Sequence, residues 1–354
     1  MIANNNFSKK RIETIDILKG IAILTVVIGH SGFGTIIPRY FSSFHMQIFF
    51  VLSGFLYVPG KFHSLSELLK RKAKTLLIPY VFFASITIIS CLLITGIYQS
   101  NYFDFPYCLV GLVYSNRSIF PINGGLWFLQ CLFLVEVMFW IIESKVSRRI
   151  SFFIIVILWV LAFLQSKYAI VLPFSLDSAL SAIVFYYIGY KIRNEIKSII
   201  HKKEAHKLRL VTMSIFFLIL GVILAFINEP VNPRTCEYGN YFLYYVCALS
   251  TIVGLAMAVR LLETVNLKCV VVIKEFLIKC GKDSIVFLGF NQLVISGLYW
   301  TLNQLFTYNT MLQKGCRNIF ICILSIIMLY FITCFFSGTV LRLLIGKKNE
   351  MGGK

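Results

Sequence analysis

The sequence predicts an all-α fold: a polytopic membrane bundle of about ten transmembrane helices with both termini cytoplasmic. Three observations lead there. Hydrophobic residues make up 58% of the 354 residues and charged residues only 14%, whereas a soluble domain is roughly 45–50% apolar. Ten stretches reach the roughly 20 mostly apolar residues that cross a hydrocarbon core, at 15–35, 41–59, 75–97, 125–143, 150–167, 174–192, 210–228, 240–261, 283–301 and 318–341. Finally, 27 of the 34 Lys and Arg fall on the side of the N-terminus, six fall on the other, and Lys19 lies within the first span. Basic residues are retained on the cytoplasmic face, and an even number of spans returns the chain to it.

The formal charge of +19 therefore reads as membrane orientation, with the lipid bilayer as partner and no nucleic acid. Thirty-three Phe, 18 Tyr and only 8 Pro exclude a disordered or collagenous chain. None of the ten Cys forms a Cys-x-x-Cys pair, so no metal site is expected. Cys108, Cys236 and Cys316 fall in external connections, where a disulfide stays open. The chain reads as one membrane-embedded domain, 1–354, with a cytoplasmic N-terminal segment 1–14 and a cytoplasmic tail 342–354. Its basic flank and following apolar run resemble a secretory signal, but Lys19 and the lack of a small-residue cleavage site make it a retained first span. The longest loops, 98–124 and 262–282, are too short for a further domain.

Charged and titratable residues inside spans are costly, and each one marks a candidate site. Span one carries Asp16, Lys19 and His30. Eleven steps of 100° bring Lys19 and His30 to within about 20° of one face, roughly 16 Å apart. This stripe suits a long ligand with an anionic head, although Lys19 could equally snorkel while paired with Asp16. Span two places His45 at about the depth of His30, so either imidazole could act as a general base, while Ser53 and Gly54 allow close helix approach. The run Lys70-Arg71-Lys72-Ala73-Lys74 precedes span three, with Arg71 and Lys74 on one face for gripping phosphates or anionic lipid. Span four begins near Trp127 and buries Glu136, either as partner to a catalytic His or Lys19 or as a polar bridge between helices. Spans five to eight add no charged residue at mid-membrane. Span nine carries Asn291 and Gln292, which helix packing alone explains.

These blocks resemble the integral-membrane acyltransferase 3 family, which includes bacterial sugar and polysaccharide O-acetyltransferases of the fucose 4-O-acetylase-like type. Ile15-Asp16-Ile17-Leu18-Lys19-Gly20 followed by Gly29-His30-Ser31 is similar to the family's opening block, a basic residue and a His separated by ten residues. Phe44-His45-Met46 through Ser53-Gly54-Phe55 resembles its second span, and Arg71 and Lys74 before Leu76-Leu77-Ile78-Pro79-Tyr80 its basic pair and third span. Gly125-Leu126-Trp127-Phe128-Leu129 with Glu136, and Gly281-Lys282-Asp283-Ser284-Ile285, resemble later blocks. Where many relatives carry a ninth-span His this chain has Asn291, which shifts the expected base to His30 or His45.

The resemblance implies transfer of an acyl group, usually acetyl, from cytoplasmic acyl-CoA to a sugar hydroxyl. Lys19, Arg71 and Lys74 are then expected to hold the donor, and His30 to act as base with His45, Glu136 and Asp16 in support. Ser53, Trp127 and Asn291 are expected to line the acceptor pocket. Acetyl-CoA is expected as co-substrate with no permanently bound cofactor, a sugar or polysaccharide as acceptor, and the plasma or inner membrane as location; a homo-oligomer stays open. The rival from another class is a secondary transporter or flippase for a sugar or lipid-linked glycan, which predicts inverted repeats that are not visible here.

Overall fold

The computed structural model describes residues 13–98, 110–112, 114, 123–193, 207–337 and 339–346. These residues are nearly all helical, and among them the only β pairing is an isolated bridge between Asn232 and Glu237. The helices are α1 (Glu13–His30), α2 (Ile36–Ser42), α3 (His45–Leu56), α4 (Leu65–Lys72), α5 (Ile78–Tyr98), α6 (Trp127–Lys145) and α7 (Arg148–Lys167). There follow α8 (Leu176–Lys191), α9 (Lys207–Ile227), α10 (Tyr241–Glu263), α11 (Lys268–Lys282), α12 (Ser284–Leu305) and α13 (Met311–Ser337). A π-helical turn, Ala73–Leu77, joins α4 to α5, and a 3-10 turn, Gly124–Leu126, leads into α6.

Among the described residues seven helical segments are long and apolar enough to cross a membrane: Leu65–Leu93, Gly124–Lys145, Arg148–Lys167, Lys207–Ile227, Tyr241–Glu263, Ser284–Leu305 and Met311–Phe336. The other three predicted spans are also helices, α1, α3 and α8, but of 18, 12 and 16 residues. These three are packed inside the bundle. Large apolar side chains such as Phe153 and Ile157 of α7 and Phe216 and Ile219 of α9 instead point outward, as lipid-facing surfaces must.

Glycine sets the closest crossings. A Cβ on Gly54 would lie 1.9 Å from the Tyr186 carbonyl oxygen, and one on Gly189 would lie 2.0 Å from that of Val51, so α3 and α8 touch backbone to backbone. Gly20 and Gly281 do the same for α1 and α11, with hypothetical Cβ distances of 2.1 Å to the Leu277 oxygen and 1.8 Å to the Asp16 oxygen. The far end of α1 is tied down by Tyr299, which donates to the Ser31 carbonyl at 3.0 Å, and by Asn318, which donates to that of Gly32 at 2.6 Å.

Three expectations change. The stretch 262–282 is no loop: it contains α11, whose charged and apolar residues divide between two faces. The stretch 41–59 is not one span, because the chain turns at Ser43 and Phe44 between α2 and α3. The last helix starts at Met311, so Arg317 is helical and not part of a connection. The same holds for Cys316; among the described residues neither it nor Cys236 forms a disulfide, and Cys108, the third cysteine expected in an external connection, lies outside them.

Candidate active site between two cavities

Two cavities meet inside the bundle. The first, about 680 Å³, is lined by His30 at the end of α1, His45 at the start of α3, Arg39, Trp127, Arg234 and Gln292. The second, about 140 Å³, is lined by Lys19, Ser53, Leu76, Leu132 and Ser284. Met46 and Leu288 line both, so the two cavities adjoin at these residues. Lys19 and His30 therefore face two adjoining spaces along one helix, and the two imidazoles face the same space.

Local sequence explains the placement. His45 opens α3 directly after the turn at Phe44, and Gly29, Gly34, Gly124 and Gly125 keep the first cavity's wall down to backbone. Arg39 of α2 spans to the end of α9, donating from Nε to the Ala225 carbonyl at 3.1 Å and from Nη2 to the carbonyls of Phe226 and Asn228. Its charge thus caps a helix C-terminus while its side chain walls the cavity. Arg234, in the connection between α9 and α10, lies flat on Gly124, where a Cβ would stand 2.0 Å from its Nη1. Partial burial draws its guanidinium below its ordinary pKa. The amide nitrogen of Gln292 stands 3.3 Å from His30 Nε2.

The remaining expected residues divide. Glu136 reaches neither histidine nor Lys19: it accepts from Lys72 Nζ at 2.7 Å. Lys72 directly precedes a turn of π-helix at Ala73–Leu77 and is the member of the basic run that meets α6. Arg71 is exposed and stacks over Phe62 at 5.8 Å, and Lys74 is exposed beside the chain's Gly346. Asp16 is buried against α11, its carbonyl in contact with Gly281. Asn291 is a correction: it is fully buried, its amide donates to the carbonyls of Phe287 and Leu288 at 3.0 and 2.8 Å, and the cavity is lined instead by its neighbour Gln292. Among the described residues no group of three His, Cys, Asp or Glu could hold a metal ion.

Sequence reasoning missed Arg39, Arg234 and Lys72. Arg39 and Arg234 were visible as two of only six basic residues on the external side, and that rarity was the available signal.

The profile of the acyltransferase 3 family, described as an acyltransferase domain, matches residues 12–307. The chain belongs to the acyltransferase 3 family. This match spans both cavities and every candidate site residue, leaving α13 beyond it. A search of curated proteins finds no match. The acyltransferase is thus a multi-pass helical membrane protein whose polar residues converge on two adjoining interior spaces.

Proposed function

We propose that this membrane acyltransferase moves an acyl group, acetyl in the first instance, from cytoplasmic acyl-CoA to a hydroxyl of a cell-surface or lipid-linked sugar. The observation that supports the reading is the pair of cavities, cation-lined at Lys19 and imidazole-lined at His30 and His45, that adjoin at Met46 and Leu288. With the basic connections cytoplasmic, the Lys19 cavity lies on the donor's side of the bundle and the His30 cavity on the acceptor's. The plasma or inner membrane is then the site of action, since both substrates must be reached across one bilayer.

In this mechanism the donor's thioester arm enters past Lys19 and Ser53 and presents its carbonyl where the two cavities adjoin. The acceptor sugar lies in the first cavity, where Trp127 offers a stacking face and the volume suits a small oligosaccharide. His30 accepts the hydroxyl proton as the oxygen attacks the carbonyl; the thiolate leaves as CoA and the acyl–oxygen bond remains. With the Gln292 amide nitrogen toward the ring, Nε2 is the accepting nitrogen, and the sugar hydroxyl takes that place. Arg234 supplies the fixed positive charge that a tetrahedral oxyanion needs. His45 shares the cavity as the second imidazole.

The test supplies purified protein in lipid with radiolabelled acetyl-CoA and a surface-glycan extract. Label should reach glycan with the native protein and fail to do so with His30→Ala. Uptake of solute without transfer would instead favour the transporter, and label transfer undiminished in His30→Ala would remove the proposed base.

A further inference from the structure

The second cavity, at about 140 Å³, is well below the roughly 300 Å³ of the smallest ordinary ligand pockets, so an extended thioester arm can occupy it only if it widens on its cytoplasmic side. Leu76 of the π turn and Leu132 of α6 line that cytoplasmic floor. Four residues further toward the cytoplasm on each segment, about 6 Å along the helix, stand Lys72 and Glu136, joined at 2.7 Å.

Three features make this pair breakable. Glu136 is 7% exposed, and while Oε1 accepts from Lys72, Oε2 is buried with no hydrogen-bond partner, so the carboxylate is only half satisfied. Lys72 keeps 24% of its side chain accessible, and Lys61 and Arg71 stand near it, each 5.8 Å from the Phe62 ring. Burial first, then the positive charges of Arg71 and Lys72, hold the Lys61 ammonium below its ordinary pKa, which marks a crowd of cations around one carboxylate. Finally, Lys72 directly precedes the π turn Ala73–Leu77, a local irregularity that can rearrange without unwinding α4 or α5.

We propose that the Lys72–Glu136 pair is a latch on the cytoplasmic floor of the second cavity, opened when a phosphate ester takes Lys72 away from Glu136. This rests on the acyl-CoA reading above. Arg71 and Lys61 meet the anion first, Lys72 turns to it, and Lys61, near enough to feel the Glu136 charge, takes over its neutralisation. The π turn then carries Leu76 off the floor and exposes the way to Ser53 and Lys19. No bond is made or broken; one ion pair is exchanged for another.

The test is hydrogen exchange at residues 73–77 in full-length protein held in nanodiscs, with CoA as the phosphate-ester probe and its binding measured separately by calorimetry. Bound CoA should speed exchange there about tenfold, and Glu136→Gln should reach that rate without CoA. The charge-swapped pair Lys72→Glu with Glu136→Lys should stay closed and no longer respond to CoA, which also checks that the variants fold. If CoA binds and exchange at 73–77 is unchanged, the latch is wrong while the donor reading stands. If CoA does not bind, the donor reading falls and the latch with it.

Discussion

Gly54→Ala and Gly297→Ala are the same chemical change in two helix interiors, and the packing around them predicts opposite signs. At Gly54 the new methyl would stand 1.9 Å from the Tyr186 carbonyl oxygen and 2.7 Å from its carbon. Reaching even 3.0 Å from that oxygen requires α3 and α8 to part by at least 1.1 Å. Overpacking of this kind costs about 1–3 kcal/mol, against a gain of up to about 1 kcal/mol from replacing a helical Gly. At Gly297 nothing lies within 4 Å of the methyl, so only the gain remains. The assay is the thermal unfolding midpoint of each purified variant in detergent: lower than native for Gly54→Ala, equal or higher for Gly297→Ala. Gly189→Ala, at the same crossing and 2.0 Å from the Val51 oxygen, should also lower it, and the double variant should fall short of the sum because one separation relieves both clashes. Ser53 and His45 ride on α3, and a displacement of about 1 Å in a catalytic array costs on the order of 10²-fold in rate, so transfer should fall further than stability. A Gly54→Ala midpoint at or above native would refute the backbone contact.

Three further outcomes follow from the site. Asn291→Ala should leave transfer within about twofold, because its amide bonds only its own helix, whereas Gln292→Ala removes a polar group from the wall of the acceptor cavity and should raise the acceptor KM about tenfold, as loss of one hydrogen bond would; steady-state kinetics of the two variants separates them. Gly124→Ala should expel the guanidinium that rests 2.0 Å from its new Cβ, so it and Arg234→Ala should lower kcat/KM by similar factors, on the order of 10²-fold, and the double variant should be no worse than either. His45→Ala should lower transfer without lowering donor affinity, read by calorimetry with CoA, since His45 lines only the first cavity.

Hydropathy made most of the bundle legible, since ten apolar runs correspond to ten helices, but it could not rank them. α1 was legible as a span despite Glu13, Asp16 and Lys19 in its first half, but hydropathy did not show that it is buried inside the bundle, with Asp16 packed in the interior and Lys19 lining the second cavity. α11 was hidden for the opposite reason: Lys268, Lys274, Lys279 and Lys282 read as a cytoplasmic loop, although they occupy a helix whose other side packs on Gly20. In the site, the eleven-residue spacing of Lys19 and His30 could be read from helix geometry, whereas the meeting of His45 with His30 in one cavity depends on the turn at Ser43 and Phe44 that starts α3 at His45. The choice between Asn291 and Gln292 could not be read either, because adjacent helical residues differ by 100° and only the neighbouring helix decides which one faces a cavity. Likewise the π turn shifts the register after Lys72, and no propensity argument announces such a turn. Arg234 comes from a connection whose fold depends on tertiary contacts, above all on the bare backbone of Gly124.

In the proposed mechanism donor and acceptor approach from opposite faces and meet where Met46 and Leu288 line both cavities. The direct measurement uses sealed inside-out vesicles with radiolabelled acetyl-CoA supplied only outside and acceptor glycan trapped only within. Label on the enclosed glycan, lost in His30→Ala and in Lys19→Ala, is the predicted result. Label that appears only when donor and acceptor share one compartment would contradict it.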